Sequence, residues 1–479
     1  METKSKLSRF LMIAILTISS VGMNAQNLQK DKALGKAYSE YVEGMVGTYN
    51  NEELRAYIQL VGNRLEAEMD NPRFQFKYTI LPMAEPNAFS IPGGHLYITT
   101  GMFPFLESED ELACIMAHEI IHANNRHVIK SQRRGILPAI LQIPGSIVGA
   151  VIDEDIGNAL ASPFRQLGAL THASYSRKQE TEADLEGIEI AARAGYDPNA
   201  LKTILERIGK YEELVTGKDE EVDRFSTHPL TADRVERIDE SMKTLSVVDR
   251  KEISPDFIKE FDGVLAGTDP SSGVIEDSTF YHPNKNFKMT FPKNWEVAFM
   301  GNLIAGGSKE EMELMQISFK ESEADPDSIA SQFINSMKSY GNSAMIGSEP
   351  IIVNGKKGHL IGYKETYNDT TYYGFRMWLR QNDLLFQFLA ISTSEDQSEM
   401  QDIIYTLDEL NDDDRNSVMA NVIRFIKPKV GETITKLVER TNAVSDKSFT
   451  GLINQLSEEE VVPEDKLVKV VVSEKYLTK

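Results

Sequence analysis

Residues 118–122 read His-Glu-Ile-Ile-His. On a helix, positions four apart share a face, so His118 and His122 can bring both imidazoles to one ion. Glu119 stands beside them, where a carboxylate can take a proton from water bound to that ion. Zinc suits such a pair when a third protein ligand is present and a fourth position stays open for water. A third His six residues after His122 would complete one such set, but that position is Val128. The alternative is the run Glu180-Thr181-Glu182-Ala183-Asp184, whose Glu180 and Asp184 are four apart on one helix face. Glu180 is expected to be the third ligand, and Asp184 to accept the outer N–H of a ligand His and fix its tautomer. The alternative for Glu180 is a solvated helix carboxylate. This reading gives one Zn2+ per chain in a two-His, one-Glu catalytic site.

Several elements must position these groups. Residues 28–70 read as helical, with Ile58, Val61 and Leu65 at helical spacing. Phe74 to Ile80 alternates as a half-buried strand does. Ala88–Ile91 and His95–Ile98 flank Pro92-Gly93-Gly94, a turn in which Gly-Gly supplies positive φ. Ser108-x-x-Glu111 reads as a capping box opening a helix through about residue 130, with apolar Leu112, Ile115 and Met116. A second helix is expected from Arg177 to Ala194, stopping at Gly195. Between them, 136–152 is apolar but broken by Pro138, Pro144 and Gly145. It is either a lid or membrane-touching loop near the cleft, or a packed hairpin. Cys114 reads as a small buried apolar residue. His127, five after His122, is expected to point elsewhere and to serve structure. His95, His172, His282 and His359 show no partner pattern.

The whole chain has 479 residues, enough for several domains. Its 73 acidic against 51 basic residues give a formal charge of −22, which argues against nucleic acid as a partner. A single Cys excludes a disulfide framework and Cys-rich zinc modules. Lys4, Lys6 and Arg9, then the apolar Phe10 to Ile18 and the small residues ending at Ala25, read as a cleaved export signal over 1–25. Export implies a periplasmic or cell-envelope location, and 136–152 is a candidate for peripheral membrane contact. The composition divides the remainder into 26–262, a Gly/Ser/Pro/Asp-rich linker 263–278, a unit 279–412 and a unit 413–479. The expected architecture is a mainly α-helical, zincin-type α+β domain with a small antiparallel sheet. An α+β domain with a mostly antiparallel sheet follows, and then a small βααβ module.

The motifs together resemble the CAAX-prenyl-protease and HtpX-like zinc metallopeptidases. The resemblance rests on His118–His122, Ser176-Arg177 with Glu180-x-x-Ala183-Asp184, and Thr227-His228-Pro229 with Arg234. Asn87-Ala88-Phe89 with Pro92-Gly93-Gly94, and Arg126-His127, also match. It covers about residues 28–245 and implies zinc held by His118, His122 and Glu180, with Glu119 as general base. It also implies His228 and Arg234 as donors to the oxyanion, with His228 alternatively a fourth ligand that holds the enzyme latent. Asn87, Ala88 and Phe89 would pair with an extended substrate by strand addition, or form an ordinary internal strand. The exported bacterial branch implies proteolysis of misfolded or unassembled envelope proteins.

Phe280–Pro283 with Phe287–Trp295 resembles the opening of PsbP-like domains, with Trp295 a core anchor. Val430–Ile434, Leu452–Asn454 and Leu467–Val470 resemble a LysM module. LysM modules bind N-acetylglucosamine polymers such as peptidoglycan. Two further readings stay open: a cell-wall peptidase positioned by this tail, and a latent protease acting as a chaperone-like adaptor.

Overall fold

The computed structural model describes residues 27–132, 175–216, 232–245, 257–308, 312–337, 344–367 and 370–476. The expected leader, the 136–152 segment, His172 and His228 lie outside the described residues.

Helix α1 spans 27–46. Helix α2, Glu52–Ala67, starts where the Asn51 side chain accepts the Leu54 N–H, and it buries Leu54, Ile58, Val61 and Leu65 along one stripe. Three strands follow: β1 (Lys77–Leu81), β2 (Ala88–Ile91) and β3 (His95–Thr99). Gly93 and Gly94 turn the β2–β3 hairpin at φ of 86° and 90°. The sheet is mixed and not antiparallel as expected: β3 lies between its neighbours, parallel to β1 and antiparallel to β2. The physical reason is the path of the chain. β2 supplies the reversal at the outer edge, so β3 returns in the direction of β1 without a crossover helix.

Helix α3, Glu109–Asn124, is buried around nearly its whole circumference, from Leu112 through Ala123. A helix apolar on all sides belongs in the middle of a fold. It packs against α2, β2, α5 (Arg177–Arg193) and α6 (Ala200–Thr216). Ser108 caps it by accepting the Glu111 N–H at 3.2 Å. Glu111 does not complete the expected box. Its carboxylate takes the Glu107 N–H at 2.7 Å and two hydrogen bonds from buried Arg207 on α6, at 2.8 and 2.9 Å. The helix ends at Asn125, short of the expected residue 130, because Arg126 adopts φ 59°. A short helix α4, His127–Gln132, then restarts in a new direction. Arg126 is anchored there by a two-point ion pair with buried Asp31 of α1. Helix α5 opens with a full Ser176/Gln179 capping box and ends before Gly195, whose φ is 83°. Helix α7, Ala232–Met242, packs on α5, and helix α8, Phe257–Phe261, closes this unit over α2.

The next unit has a seven-stranded antiparallel sheet in the order β10-β11-β12-β13-β9-β8-β7. The strands are β7 Glu296–Met300, β8 Leu303–Ser308, β9 Glu313–Glu321, β10 Ala344–Val353, β11 Lys356–Tyr367, β12 Thr370–Gln381 and β13 Leu384–Ser392. Helix α9, Pro326–Met337, lies on one face through Ala330 and Phe333 against Ile361, Trp378 and Leu385. The other face packs on a three-stranded sheet of β4 (Val274–Glu276), β5 (Thr279–His282) and β6 (Phe287–Thr290), and on helix α10 (Ser398–Tyr405). Trp295 is buried in that core.

The C-terminal unit pairs β14 (Met419–Ile426) antiparallel with β15 (Val468–Lys475). Between them lie helices α11 (Ile434–Thr441) and α12 (Lys447–Asn454). The βααβ order matches the expectation. Its attachment to the first unit was not legible. Gly263, Val264 and Ala266, within the stretch read as a linker, exchange backbone hydrogen bonds with Asn421 and Ile423 of β14 at 2.8–2.9 Å. Ile423 and Ile453 join the core around α3, and the Phe449 ring meets Phe105 and Tyr211 at centroid distances of 5.6 and 5.5 Å. Lys469 reaches into the same seam and donates to the Leu106 carbonyl at 2.5 Å, just before α3 begins.

Burial pushes the Lys469 ammonium down to about 7, the neighbouring charges being Glu107, Arg207, Glu111 and Lys466. A cation disfavoured in the folded state makes the unfolded chain the better proton binder between about pH 7 and the ordinary Lys value of 10.5. Stability should therefore rise across that window by at most about 1.4 kcal/mol per pH unit from this group, and the penalty should be fully present below it. Lys469→Met should flatten that slope in urea unfolding measured from pH 7 to 10, and raise stability at pH 7. An unchanged slope would show that Lys469 titrates alike in both states.

Candidate metal centre

The capped, buried α3 carries His118 and His122 into the middle of the first unit, both nearly inaccessible to solvent. Their Nε2 atoms lie 2.9 Å apart. Helix α5 crosses alongside and places the Glu180 carboxylate 3.7 Å from His118 Nε2 and 3.5 Å from His122 Nε2. Close approach of the two helices is possible because α5 presents Gly187 to α3. A Cβ there would lie 3.1 Å from the His118 backbone nitrogen. Ligands about 2.1 Å from a tetrahedral zinc are about 3.4 Å from one another. The observed separations bracket that value, and the three donors are the metal-type cluster found among the described residues.

The tautomers support the same reading. His118 Nδ1 sits 3.0 Å from Asp184 Oδ1. Burial opposes ionisation of Asp184, but the hydrogen bonds from His118 and Arg234 outweigh it and hold its carboxyl well below the usual range. An ionised Asp184 requires the His118 proton on Nδ1, which leaves a lone pair on Nε2. For His122, Nδ1 lies 3.0 Å from Nδ1 of His127, whose Nε2 lies 3.0 Å from Glu182 Oε2. Burial lowers the His127 pKa against the pull of Glu182, which favours the neutral ring. Burial raises the Glu182 carboxyl, but the His127 hydrogen bond and Lys130 and Lys178 hold it below its ordinary value. The proton assignment is then forced. His127 donates to Glu182 from Nε2 and accepts at Nδ1 from His122, whose own Nε2 keeps a lone pair. Two lone pairs facing across 2.9 Å, with a carboxylate beside them, fit a divalent cation.

Arg234 of α7 is buried and grips Asp184 with two hydrogen bonds, Nε to Oδ2 at 2.9 Å and Nη2 to Oδ1 at 2.8 Å. Its Nη1 lies 3.5 Å from Glu180. Glu119 is buried on the same helix as the two His, and its charge is felt at Arg234 and at Tyr175. Asn87, Ala88 and Phe89 are buried beside α3. The Phe89 ring stacks on Tyr97 at 5.0 Å, and Asn87 accepts the Thr99 N–H at 2.9 Å through its carbonyl. Ala88 and Phe89 pack into different cores on opposite faces of β2, and among the described residues the outer edge of β2 pairs with no strand. Cys114 points away from the cluster, and its thiol donates to the Asp197 carbonyl at 3.4 Å.

Sequence reasoning missed two neighbours of His122. Tyr175 lies with its ring 4.0 Å from the His122 ring. Burial, with the charges of Glu119 and Glu180, pushes its hydroxyl pKa well up. His127 was placed elsewhere by continuing α3 past residue 125. The positive φ at Arg126 breaks the helix and swings His127 back onto His122. The dipeptide Arg126-His127, with Asp31 available to hold the arginine, was the available signal.

Residues 52–242 match the family model described as Peptidase family M48. The Beta-barrel assembly-enhancing protease of Escherichia coli K12 is 27% identical over 231 residues, which cover 46% of this chain and 46% of that protein. Mitochondrial metalloendopeptidase OMA1 of Schizosaccharomyces pombe is 30% identical over 223 residues, 46% of this chain and 62% of that protein. The chain thus spans less than two thirds of the length of either. Among solved structures, cyanobacterial PsbP of Synechocystis overlays 29% of this chain and 95% of its own at a TM-score of 0.24 and 13% identity, a likeness too slight to carry an argument. Among the described residues no helix is long and apolar enough to cross a membrane. The match to the Peptidase family M48 model and the donor geometry fall on the same stretch of chain, and residues 52–242 are similar to a metalloendopeptidase domain with a possible three-residue metal site.

Proposed function

We propose that the protein is a zinc-dependent endopeptidase of a bacterial cell envelope that hydrolyses misfolded or unassembled envelope proteins. The observation that carries this reading is the pair of Nε2 lone pairs converging with Glu180 beside Glu119. Zinc held by His118, His122 and Glu180 would supply Lewis acidity toward a carbonyl oxygen and lower the pKa of water bound to it. Glu119 takes the proton from the attacking water and returns it to the leaving amine nitrogen. Asp184, clamped by Arg234, holds His118 in its binding tautomer, and His127 with Glu182 does the same for His122. Because its guanidinium is committed to Asp184, Arg234 acts as a positioning residue. The Tyr175 hydroxyl is the donor for the developing oxyanion, and His228 is either a second donor or a fourth metal ligand that holds the enzyme latent. The outer edge of β2 aligns an extended peptide across the site.

The E. coli relative's name ties that protein to β-barrel assembly, and failed assembly intermediates of the envelope are the substrate class proposed for this chain. An export signal over 1–25 and a peripheral contact through 136–152 belong to the same proposal. The reading of the tail as a peptidoglycan reader gains nothing from Glu432. Its carboxylate is already held by Arg440 at 2.6 and 2.9 Å and by the Lys429 N–H at 2.8 Å.

Full-length protein purified with zinc should hold one zinc per chain and cleave casein. Glu119→Gln should keep the metal and lose at least about 100-fold in rate. Metal-free protein after a zinc-replete preparation would end the proposal. In the same assay, faster cleavage by His228→Ala would mark His228 as a latch, and slower cleavage would mark it as an oxyanion donor.

His127→Phe removes the acceptor for His122 Nδ1–H. Zinc affinity, read by competition with a chromophoric chelator, should fall about 10- to 100-fold. Glu182→Gln should give a smaller loss. Unchanged affinity in both would reduce the His122–His127–Glu182 chain to packing.

A further inference from the structure

A second ordered set of polar side chains lies far along the chain from the metal centre, on the seven-stranded sheet. Ser348 Oγ is 2.9 Å from His359 Nε2, and His359 Nδ1 is 2.7 Å from Asp327 Oδ1. Three elements hold these groups. Ser348 is on β10, His359 on β11, and Asp327 in the first turn of α9. The β10–β11 register is set by a two-residue turn at Asn354-Gly355, where both residues have positive φ (48° and 76°). That register pairs Ser348 with Ile361 and Pro350 with His359, which puts Ser348 diagonal to the imidazole on the same face. Helix α9 packs over that face on Ile361 and Trp378, and so brings Asp327 to the far side of the ring.

The protons follow from the partners. Asp327 Oδ2 is paired with Lys357 at 2.8 Å, and Lys357 also pairs with Asp325 at 2.9 Å. A carboxylate so paired is ionised and accepts the His359 Nδ1–H. With that proton on Nδ1, Nε2 is the ring's acceptor for the Ser348 hydroxyl. The order is nucleophile, base and orienting carboxylate. Ser348 is exposed, while its base is largely covered, with a side-chain exposure of 11%. Among the described residues β10 pairs on one side only. A strand edge leaves backbone N–H groups unpaired, and these are donors for an oxyanion next to Ser348. Exposed Ile346 and Ile352 flank it on the same strand and offer apolar contact to an acyl group.

We propose that Ser348, His359 and Asp327 form a second catalytic centre, an acyl-transfer site for small esters with apolar acyl groups. Ser348 Oγ bonds to the acyl carbon as its proton passes to His359 Nε2. The ester C–O bond breaks, and the alcohol leaves with that proton. Water then repeats the step on the acyl-serine, with His359 as base, releasing the carboxylic acid and restoring the hydroxyl.

The test uses the full chain carrying Glu119→Gln, so that the metallopeptidase is silent, and a fluorophosphonate probe. Probe reaction forms an Oγ–P bond at Ser348, expels fluoride and leaves the proton on His359. Mass spectrometry should find the adduct on the Ser348 peptide, and Ser348→Ala should abolish it. His359→Gln should slow labelling at least about 100-fold. The substitution Asp327→Asn, at a half-buried position, should slow it at least about 10-fold without unfolding the sheet. Hydrolysis of p-nitrophenyl acetate should follow the same ranking and survive removal of zinc by a chelator, which separates this centre from the metal centre. An unlabelled Ser348 in folded protein, or equal labelling rates in the wild-type triad and in Asp327→Asn, overturns the proposal.

Discussion

Two imidazole lone pairs facing each other inside a dry protein core repel unless a cation lies between them. The arrangement at His118 and His122 survives only because every outer nitrogen has a fixed partner and every partner is itself held. Arg234 neutralises Asp184, Glu182 ends the chain that begins at His122, and Glu180 faces the gap. Burial raises the energy of each charge, so the network tolerates little rearrangement. The surrounding helices can be understood as the scaffold that this electrostatic requirement demands.

That requirement explains why α3 is buried on all sides. A helix with one face in water would admit solvent to the cluster and weaken the interactions that fix the tautomers. Instead α2, α5, α6 and β2 enclose it, and Gly187 lets α5 come close enough for Glu180 to reach the two His. Gly187 is thus a steric condition on the metal site, although it carries no donor.

Much of this was legible. His118, Glu119, His122, Glu180 and Asp184 were readable because their spacing within two helices decides which groups share a face. The antiparallel sheet of the middle unit was readable from alternation, and the βααβ tail from its short elements. What escaped depends on single backbone states or on contacts distant in sequence. His127 was misplaced because helical periodicity was carried past Arg126, whose positive φ is imposed by a tertiary ion pair with Asp31. The strand order in the first sheet escaped because turn residues determine the hairpin but not which side of β3 the first strand takes. Arg234 was placed at the site, but its grip on Asp184 depends on how α7 packs on α5. His359 had no local pattern because its partners lie 11 and 32 residues away on other elements.

The seam at Leu106 has a consequence for how the molecule is made. Lys469 meets Leu106 across 363 residues of chain, and Ile423 and Ile453 are part of the core that surrounds the metal-site helix. During synthesis the metal-site helix emerges long before the segments that complete its surroundings. Until they arrive, apolar surface near Phe105 and Tyr211 stays open, and the enclosing core is unfinished. Contacts of such long range are slow to form. The order of translation thus acts as a timer, keeping the metal centre from maturing until the segments that carry Ile423, Ile453 and Lys469 have been made.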